Sequence, residues 1–375
     1  MIDLGVVAGE ASGDLLGAHF INALKQGHPD LRVAGIAGPR LIKTGVEAIY
    51  PSEKLAVNGY VEVLRHLPEL LWIRARMTRY FLRERPRAFI GIDAPDFNFT
   101  LETKLKRAGI PTVHFVSPSI WAWRPERIHR IKQAVSHMLV VFPFEERLYQ
   151  QAGIPVSYVG HPLADVIPLE PDTAAARVAL GLTTEGPVIA LLPGSRLSEV
   201  TRHARLMLDA AVLIRQHHPD VRFVLPAASE AATRLIQRAL QGVEVPLQIL
   251  AGQSHTALAA CDVALVASGT ATLEAALFKK PMVITYRMPT LTAHMMLKQA
   301  LQPWVGLPNI LARDFVVPER IQAAATPQAL ADDALAWLDD APRQLELMET
   351  FRTLHLSLRQ NASARIAEAL EPYLS

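Results

Sequence analysis

The sequence is poor in cysteine and in long apolar segments. Cys261 is its single cysteine, so an internal disulfide is excluded and a reducing compartment such as the cytoplasm is indicated. A membrane-spanning helix needs roughly 20 nearly uncharged residues, whereas charged residues interrupt the best apolar stretches of this chain. The first residues also lack the basic and apolar regions of a signal peptide. We therefore expect a cytoplasmic protein that does not cross a membrane.

Several kinds of site are missing as well. The net charge of +2 and the lack of a recognised motif argue against a nucleic-acid partner. The histidines do not cluster at metal-ligand spacing, so we predict no metal. No Walker-type lysine pattern is present, and Gly9 and Gly13 do not have the dinucleotide-binding spacing. ATP or GTP hydrolysis and hydride transfer are therefore disfavoured, and no cofactor is expected.

The chain length of 375 residues suits two domains. Short apolar runs alternate with helical patterns, which predicts parallel strands joined by crossover helices. One series begins at Ile2 and a second at Val188, and a proline-rich segment from Gly160 to Asp172 is the predicted linker. Beyond Pro327 the pattern is wholly helical. We predict an α/β protein with two Rossmann-like, doubly wound domains that face a cleft, followed by a helical C-terminal tail.

Two loops of the second domain suit an anion. In open parallel sheets ligands bind at the carboxyl ends of the strands, and Ser268–Glu274 lies where a strand passes into a helix, whose free amides suit a phosphate. Glu274 is placed to accept both hydroxyls of a ribose, although an ordinary capping box has the same pattern. Pro193–Arg196 follows the first strand of this domain, and Arg196 suits a diphosphate. Together the two loops favour a nucleotide diphosphate site over two ordinary turns.

The first domain carries candidate acid–base groups. Asp93 and Asp96 follow a predicted strand, and a sugar hydroxyl that attacks an anomeric carbon needs a base. Asp93 is our candidate for that base. The alternative is that Asp96 caps the next helix and Asp93 braces the loop. Two tryptophans, Trp121 and Trp123, follow another strand, where an aromatic ring can stack on a sugar or simply pack.

The segment from Leu64 to Arg87 is basic and apolar at once. Seven arginines stand against two glutamates between Arg65 and Arg87. Pro68 suits the first turn of a helix. Four residues that follow it have helical spacing and predict a buried stripe: Leu70, Ile73, Met77 and Tyr80. The remaining apolar and basic groups are typical of a segment lying on a membrane surface, or of a packed helix with a solvated arginine face: Leu67, Leu71, Trp72, Arg74 and Arg76.

Taken together, the order and spacing of these motifs resemble the lipid-A-disaccharide synthase family over nearly the whole chain. The matching stretches are Ala8–Asp14, Gly91–Asn98, Ser117–Arg124, Phe142–Glu145, Val159–Pro162, Leu191–Arg196, Ser268–Glu274 and Leu307–Asn309. The resemblance implies a GT-B-like enzyme of glycosyltransferase family 19. Its donor would be UDP-2,3-diacylglucosamine and its acceptor 2,3-diacylglucosamine 1-phosphate. The products would be the β-1,6-linked precursor of lipid A and UDP.

Site roles follow from matching positions. The resemblance implies that Asp93 is the base, Arg196 binds the diphosphate and Glu274 binds the ribose. The other nucleotide-site candidates are Gly194, Ser195, Ser268, Gly269, Thr270 and Asn309. The candidates that face the acceptor or the cleft are Glu10, Ser12, Asp14, Asp96, Asn98 and Trp123. Charge neutralisation by the protein would replace a metal.

The expected domains are an acceptor- and membrane-facing domain at 1–165 and a donor domain at 166–340. A tail at 341–375 would pack on the first domain or on a partner subunit in a homodimer. The enzyme would attach peripherally, through anionic lipids, to the cytoplasmic face of the inner membrane. Three alternatives stay open: a UDP-sugar epimerase of similar fold, a transferase that acts on a polar glycan, and a non-enzymatic nucleotide-sugar sensor or membrane-bound scaffold.

Overall fold

The computed structural model describes residues 2–9, 11–55, 60–183 and 185–374. At positions 11, 12, 60–65, 291, 295 and 297 it describes the backbone alone. The chain divides into two compact units. The first comprises residues 1–165 and 358–375, and the second comprises residues 166–357.

The first unit is built on a seven-stranded parallel sheet with the order β3-β2-β1-β4-β5-β6-β7. Its strands are β1 (Leu4–Ala8), β2 (Val33–Ala37), β3 (Glu47–Pro51), β4 (Ala88–Ile92), β5 (Thr112–Phe115), β6 (His137–Val140) and β7 (Val156–Tyr158). Its helices are α1 (Ala11–Gly27), α2 (Pro39–Lys43), α3 (Tyr60–Glu84), α4 (Pro95–Arg107), α5 (Ile128–Ala134), α6 (Glu145–Gln151) and α7 (Pro162–Val166). The strand order reverses where β1 lies between β2 and β4, so the carboxyl ends of β1 and β4 form the switch point at which such sheets bind ligands.

The second unit repeats this plan with a six-stranded sheet of order β10-β9-β8-β11-β12-β13. Its strands are β8 (Val188–Leu192), β9 (Arg222–Ala227), β10 (Leu247–Ala251), β11 (Val263–Ala267), β12 (Met282–Tyr286) and β13 (Glu319–Ile321). Its helices are α8 (Thr173–Ala179), α9 (Leu197–His217), α10 (Glu230–Ala239), α11 (Ser254–Ala260), α12 (Thr270–Leu277), α13 (Thr290–Gln299), α14 (Leu307–Ala312), α15 (Pro327–Leu338) and α16 (Ala341–Leu358). The switch point lies between β8 and β11.

The predicted fold class is confirmed. It could be predicted because the central strands are buried on both faces and therefore appear in the sequence as continuous apolar runs. Four strands were not predicted: β2, β3, β7 and β13. Three of them are half-exposed or edge strands with little apolar signal. The prediction for Pro68 was wrong, since α3 begins at Tyr60 and Pro68 lies inside it. A proline inside a helix removes one backbone hydrogen bond, and α3 continues past Pro68 despite this loss.

The last helix, α17 (Ala362–Leu374), belongs to the first unit and packs against α1. The Asp165 carboxylate accepts the amides of Asn361 and Ala362 at 2.9 and 2.7 Å, which fixes the start of the helix. Near its end, Glu371 contacts His28 at 2.9 Å. Within the described residues, no helix is long and apolar enough to span a membrane.

Candidate active site

Asp93 stands at the carboxyl end of β4 in an uncommon backbone conformation. Asp93 and Ala94 both have left-handed dihedrals, with φ of 53° and 44°. Non-glycine residues adopt this region rarely and at an energetic cost, and such residues cluster at functional sites. Two hydrogen bonds hold the backbone here: Asp93 donates its amide to Phe115 at 2.9 Å, and Asn98 Nδ2 donates to the Asp93 carbonyl at 2.8 Å. The loop therefore holds the Asp93 backbone at a defined point of the switch region.

A buried polar pair lies next to this loop, and sequence reasoning missed it. Glu102 follows Asn98 by one turn of α4, and His114 lies opposite Gly91 on β5. Glu102 Oε1 and His114 Nδ1 are 2.8 Å apart, and both side chains are fully buried. Burial raises the pKa of the Glu102 carboxyl. The pair packs against β4, since a Cβ on Gly91 would lie 2.2 Å from Glu102 Oε1.

The other acidic candidates of the first unit have different surroundings. Asp14 is buried and accepts the backbone amides of three residues at 2.8 to 3.0 Å: Gly38, Arg40 and Leu41. It therefore anchors the start of α2. Asp96 is exposed and pairs with Arg127 at 3.1 Å. The N-cap of α4 is Ala94, so Asp96 does not cap this helix.

The remaining first-unit candidates lie on neighbouring loops. The ring of Trp123 is covered by the Arg124 guanidinium at 4.4 Å, a cation–π contact that occupies one face. Trp121 donates its indole N–H to Glu145 Oε1 at 3.0 Å. Burial raises the pKa of Glu145 to about 7. Glu10 lies outside the described residues, as does the side chain of Ser12.

In the second unit, the predicted nucleotide residues come together around one cavity of about 380 Å³. It lies at the carboxyl ends of β8, β9, β11 and β12. The predicted residues that line it are Gly194, Ser195, Arg196, Ser268, Gly269, Thr270 and Glu274. Pro226, Ala228, Ser254 and Tyr286 complete much of its wall. The cavity thus joins loops that are more than 70 residues apart in the chain.

The start of α12 forms one wall of this cavity. Gly269 is its N-cap and Thr270 its first residue, and both line the cavity. The start of a helix carries backbone amides that have no partner within the helix. Glu274 lies one turn further, with its side chain 19% exposed and His255 Nε2 3.8 Å from its carboxylate. This arrangement offers amides for a phosphate and a carboxylate acceptor for hydroxyl groups.

The turn before α9 forms another part of the wall. Gly194 has φ of 112°, and a Cβ at this position would lie 2.5 Å from Glu199 Oε2, so only glycine fits. Arg196 is the N-cap of α9, and its amide contacts Glu199 Oε2 at 3.3 Å. Its side chain is 57% exposed, and its Nη1 lies 3.4 Å from Glu199 Oε1. The guanidinium is therefore available to a diphosphate.

His203, one turn beyond Glu199, connects this turn to the end of β12. Its Nε2 accepts the amide of Arg287 at 2.8 Å, and its Nδ1 contacts the Pro193 carbonyl at 3.1 Å. Because an amide only donates and a carbonyl only accepts, the ring is neutral with its proton on Nδ1. Burial lowers the pKa of His203, in keeping with the neutral form. Sequence reasoning missed this residue, which links two loops of the cavity.

Comparison with known proteins decides the family. A family profile described as Lipid-A-disaccharide synthetase matches residues 4–371. The chain belongs to this family. The lipid-A-disaccharide synthase of Thiobacillus denitrificans is 76% identical over 369 residues, which cover 98% of this chain and 99% of that protein. The resemblance inferred from the motifs is confirmed, and with it the enzyme class, a glycosyltransferase of lipid A biosynthesis.

Solved structures agree on the fold. A UDP-GlcNAc 2-epimerase from Neisseria meningitidis bound to UDP-GlcNAc has a TM-score of 0.66 at 16% identity, covering 99% of this chain and 100% of that one. The glycotransferase of kitacinnamycin has a TM-score of 0.62 at 14% identity, covering 100% and 99%. At these identities the likeness concerns the fold alone, which is of the GT-B type.

Asn309, a nucleotide-site candidate in the family motif at 307–309, does not line the cavity. It is fully buried, and its amide group bonds to Val317 and to Glu319 Oε1 at 2.9 to 3.0 Å. It therefore holds the loop between α14 and β13. Among the described residues, no group of three or more histidine, cysteine or acidic side chains could hold a metal ion.

Proposed function

We propose that this family member transfers a diacylglucosamine unit from UDP-2,3-diacylglucosamine to the 6-hydroxyl of 2,3-diacylglucosamine 1-phosphate. The products are the β-1,6-linked disaccharide and UDP. The observation that carries the proposal is a cavity lined by seven of the predicted nucleotide residues at the carboxyl edge of the second sheet. A nucleotide diphosphate needs anion-binding amides, a cation and a carboxylate within one site, and this cavity has all three.

In this proposal, the second unit binds the donor through its nucleotide. Glu274 accepts the hydroxyls of the ribose. The amides at the start of α12 and the Arg196 guanidinium bind the diphosphate and stabilise the charge that develops on it as the sugar departs. These groups neutralise the leaving group without a metal ion, so activity should survive EDTA.

The first unit provides the base. Asp93 takes the proton of the acceptor 6-hydroxyl while that oxygen attacks the anomeric carbon from the face opposite UDP, and the configuration inverts. The anomeric C–O bond breaks as the new glycosidic bond forms, and its electron pair leaves with UDP. The support for this role is the strained, hydrogen-bonded loop that fixes Asp93 at the switch point of its sheet.

The proposal includes peripheral attachment to the cytoplasmic face of the inner membrane. On α3, three predicted membrane residues are 40 to 51% exposed: Leu67, Leu71 and Trp72. The Arg76 guanidinium lies 5.0 Å from the Trp72 ring centroid, and Arg74 bonds to the carbonyl of Asp96 at 3.3 Å. Apolar side chains beside basic ones favour an anionic lipid surface.

A homodimer formed through the C-terminal helices is also part of the proposal. In such a dimer α17 of one chain would replace α17 of the other on α1, where it packs within a single chain.

A UDP-sugar epimerase is the second candidate, because the fold is shared with the epimerase described above. The test is to incubate the protein with radiolabelled UDP-2,3-diacylglucosamine or UDP-GlcNAc, with and without the acylated acceptor, in EDTA. We expect a labelled disaccharide only when both acylated substrates are present. Epimerisation of UDP-GlcNAc without an acceptor, or activity that needs an added divalent metal, would contradict the proposal.

A further inference from the structure

The second unit exposes several large apolar side chains between residues 301 and 315. Leu301, Val305 and Phe315 are 56, 40 and 55% exposed, and the ring centroids of Trp304 and Phe315 are 6.3 Å apart. We call these four residues the apolar platform. Such clusters on a soluble surface mark sites of contact with another molecule.

The apolar platform adjoins the wall of the nucleotide cavity. Ser268 lines that cavity, and its Oγ donates to the carbonyl of Val305 at 3.4 Å. Two residues later, the amide of Leu307 donates to Thr272 Oγ1, in the first turn of α12, at 3.3 Å. A ligand whose diphosphate binds at the start of α12 would therefore have the apolar platform beside it.

The platform is held in place by the structure beneath it. Glu319 accepts the amides of Val305 and Gly306 at 2.9 and 2.8 Å. A Cβ on Gly306 would lie 2.2 Å from Ile284 Cδ1, so the backbone at Gly306 packs closely against β12. A surface that is already ordered loses little entropy when it binds a ligand.

The chemistry of the segment fits an acyl group better than a bare bilayer. From residue 300 to 317 the only charged residues are Arg313 and Asp314, which cancel, so the segment lacks the basic excess that an anionic leaflet attracts. An acyl chain is apolar and uncharged, which matches the exposed side chains of this segment.

We propose that the apolar platform binds an acyl chain of the donor and gives the enzyme its preference for an acylated UDP-sugar. The proposal rests on the proposed function, because it takes the adjoining cavity as the UDP site. The sugar of the donor is attached to the β-phosphate, so acyl groups on that sugar emerge next to the loop that binds the diphosphate.

The experiment compares the dissociation constants of UDP, UDP-GlcNAc and UDP-2,3-diacylglucosamine. The test variant is Leu301→Ser with Phe315→Ser. The control is Val178→Ser with Leu345→Ser, whose parent side chains are 70 and 66% exposed on α8 and α16 of the same unit. We expect the test variant to bind the diacylated donor at least about tenfold more weakly. Its affinities for UDP and UDP-GlcNAc should stay within about twofold of the parent, and the control should bind all three as the parent does.

Three results would overturn the proposal. One is unchanged affinity of the test variant for the diacylated donor. Another is an equal loss for all three ligands, which would make the platform a structural element only. The third is reduced co-sedimentation with anionic vesicles while donor affinity is unchanged, which would make it a bilayer contact. If the parent protein does not bind UDP, the proposed function fails. The role of the apolar platform is then still tested by comparing the affinities of the parent and the test variant for the diacylated donor.

Discussion

The carboxyl ends of the two sheets carry different kinds of site. In the first unit, the loop after β4 holds two consecutive left-handed non-glycine residues, Asp93 and Ala94, beside buried polar side chains. In the second unit, the turn before α9 and the start of α12 rely on glycines and backbone amides, with a single exposed guanidinium at Arg196. The first arrangement holds the backbone of one acidic residue, whereas the second brings glycines, a helix start and a guanidinium around one cavity.

This difference matches the two demands of glycosyl transfer. A base must be held where one proton leaves, so strain in its loop is tolerated. A diphosphate is large and doubly charged, so its site is best made from many weak donors that are ordered in advance. If this division is correct, variants of the first site should change turnover and variants of the second should change affinity.

The largest expected effect is that of Asp93→Asn, which keeps the size of the side chain and removes its basicity. We expect transfer to fall at least about 100-fold, the scale of a general base. The affinity for UDP should be unchanged, because the change lies in the first unit. Steady-state kinetics and UDP titration on the same preparation measure both quantities. Near-normal turnover would remove Asp93 from this role and break the comparison.

The second largest expected effect is the loss of nucleotide affinity in Arg196→Ala and in Glu274→Ala. Each removes a charged hydrogen-bonding group from the cavity, and we expect UDP and the donor to bind about tenfold more weakly. The KM for the acceptor should change little. Thr201→Ala, at an exposed position of α9, is a suitable control. Unchanged UDP affinity in both cavity variants would place the nucleotide elsewhere.

His203 sharpens the comparison further, because it touches the loops of the cavity and not its contents. His203→Leu removes both hydrogen bonds, and we expect UDP to bind about fivefold more weakly while kcat with saturating donor changes less. Asn at this position can still donate to Pro193, and Gln can still accept from Arg287, so both should fall between Leu and the parent. Leu206→Ala, a buried change on the same helix, controls for simple destabilisation. Equal losses in it and in His203→Leu would argue against a positioning role.

The pH dependence of stability gives a second readout for His203. Burial lowers its pKa in the folded state, so the unfolded chain binds a proton that the folded chain does not. The free energy of unfolding should therefore decrease as the pH falls below the ordinary histidine value of about 6.5. Thermal unfolding of His203→Leu should show a smaller decrease than that of the parent over this range.

A triple variant with Leu67→Ser, Leu71→Ser and Trp72→Ser should have the smallest effect on catalysis, because it changes membrane binding and not the reaction. These side chains are exposed on α3, so their loss should lower binding to anionic vesicles and dependence on detergent, and leave UDP binding intact. Vesicle co-sedimentation measures the change. Co-sedimentation equal to that of the parent would show that α3 is not the docking site.

The sequence by itself determined the features that are local in the chain. A central strand buried on both faces is a continuous apolar run, and the loop that follows it must carry the ligand-binding residues, so β8 with Arg196 and β11 with Ser268 and Glu274 were recognised together. The same argument found Asp93 after β4. The family motifs lie in these loops, which is why the resemblance led to the fold and the enzyme class.

Only the tertiary structure decided what depends on contacts between distant residues. His203 bonds to Pro193 and to Arg287, which lies 84 positions beyond it, and no local pattern distinguishes it from an ordinary helical histidine. Asp14 has the spacing of a cleft residue, but it anchors α2 because its oxygens meet three backbone amides there. The edge strands and the packing of α17 on α1 could not be predicted for the same reason. They are stabilised by residues that are distant in the sequence, and local propensity does not reveal such contacts.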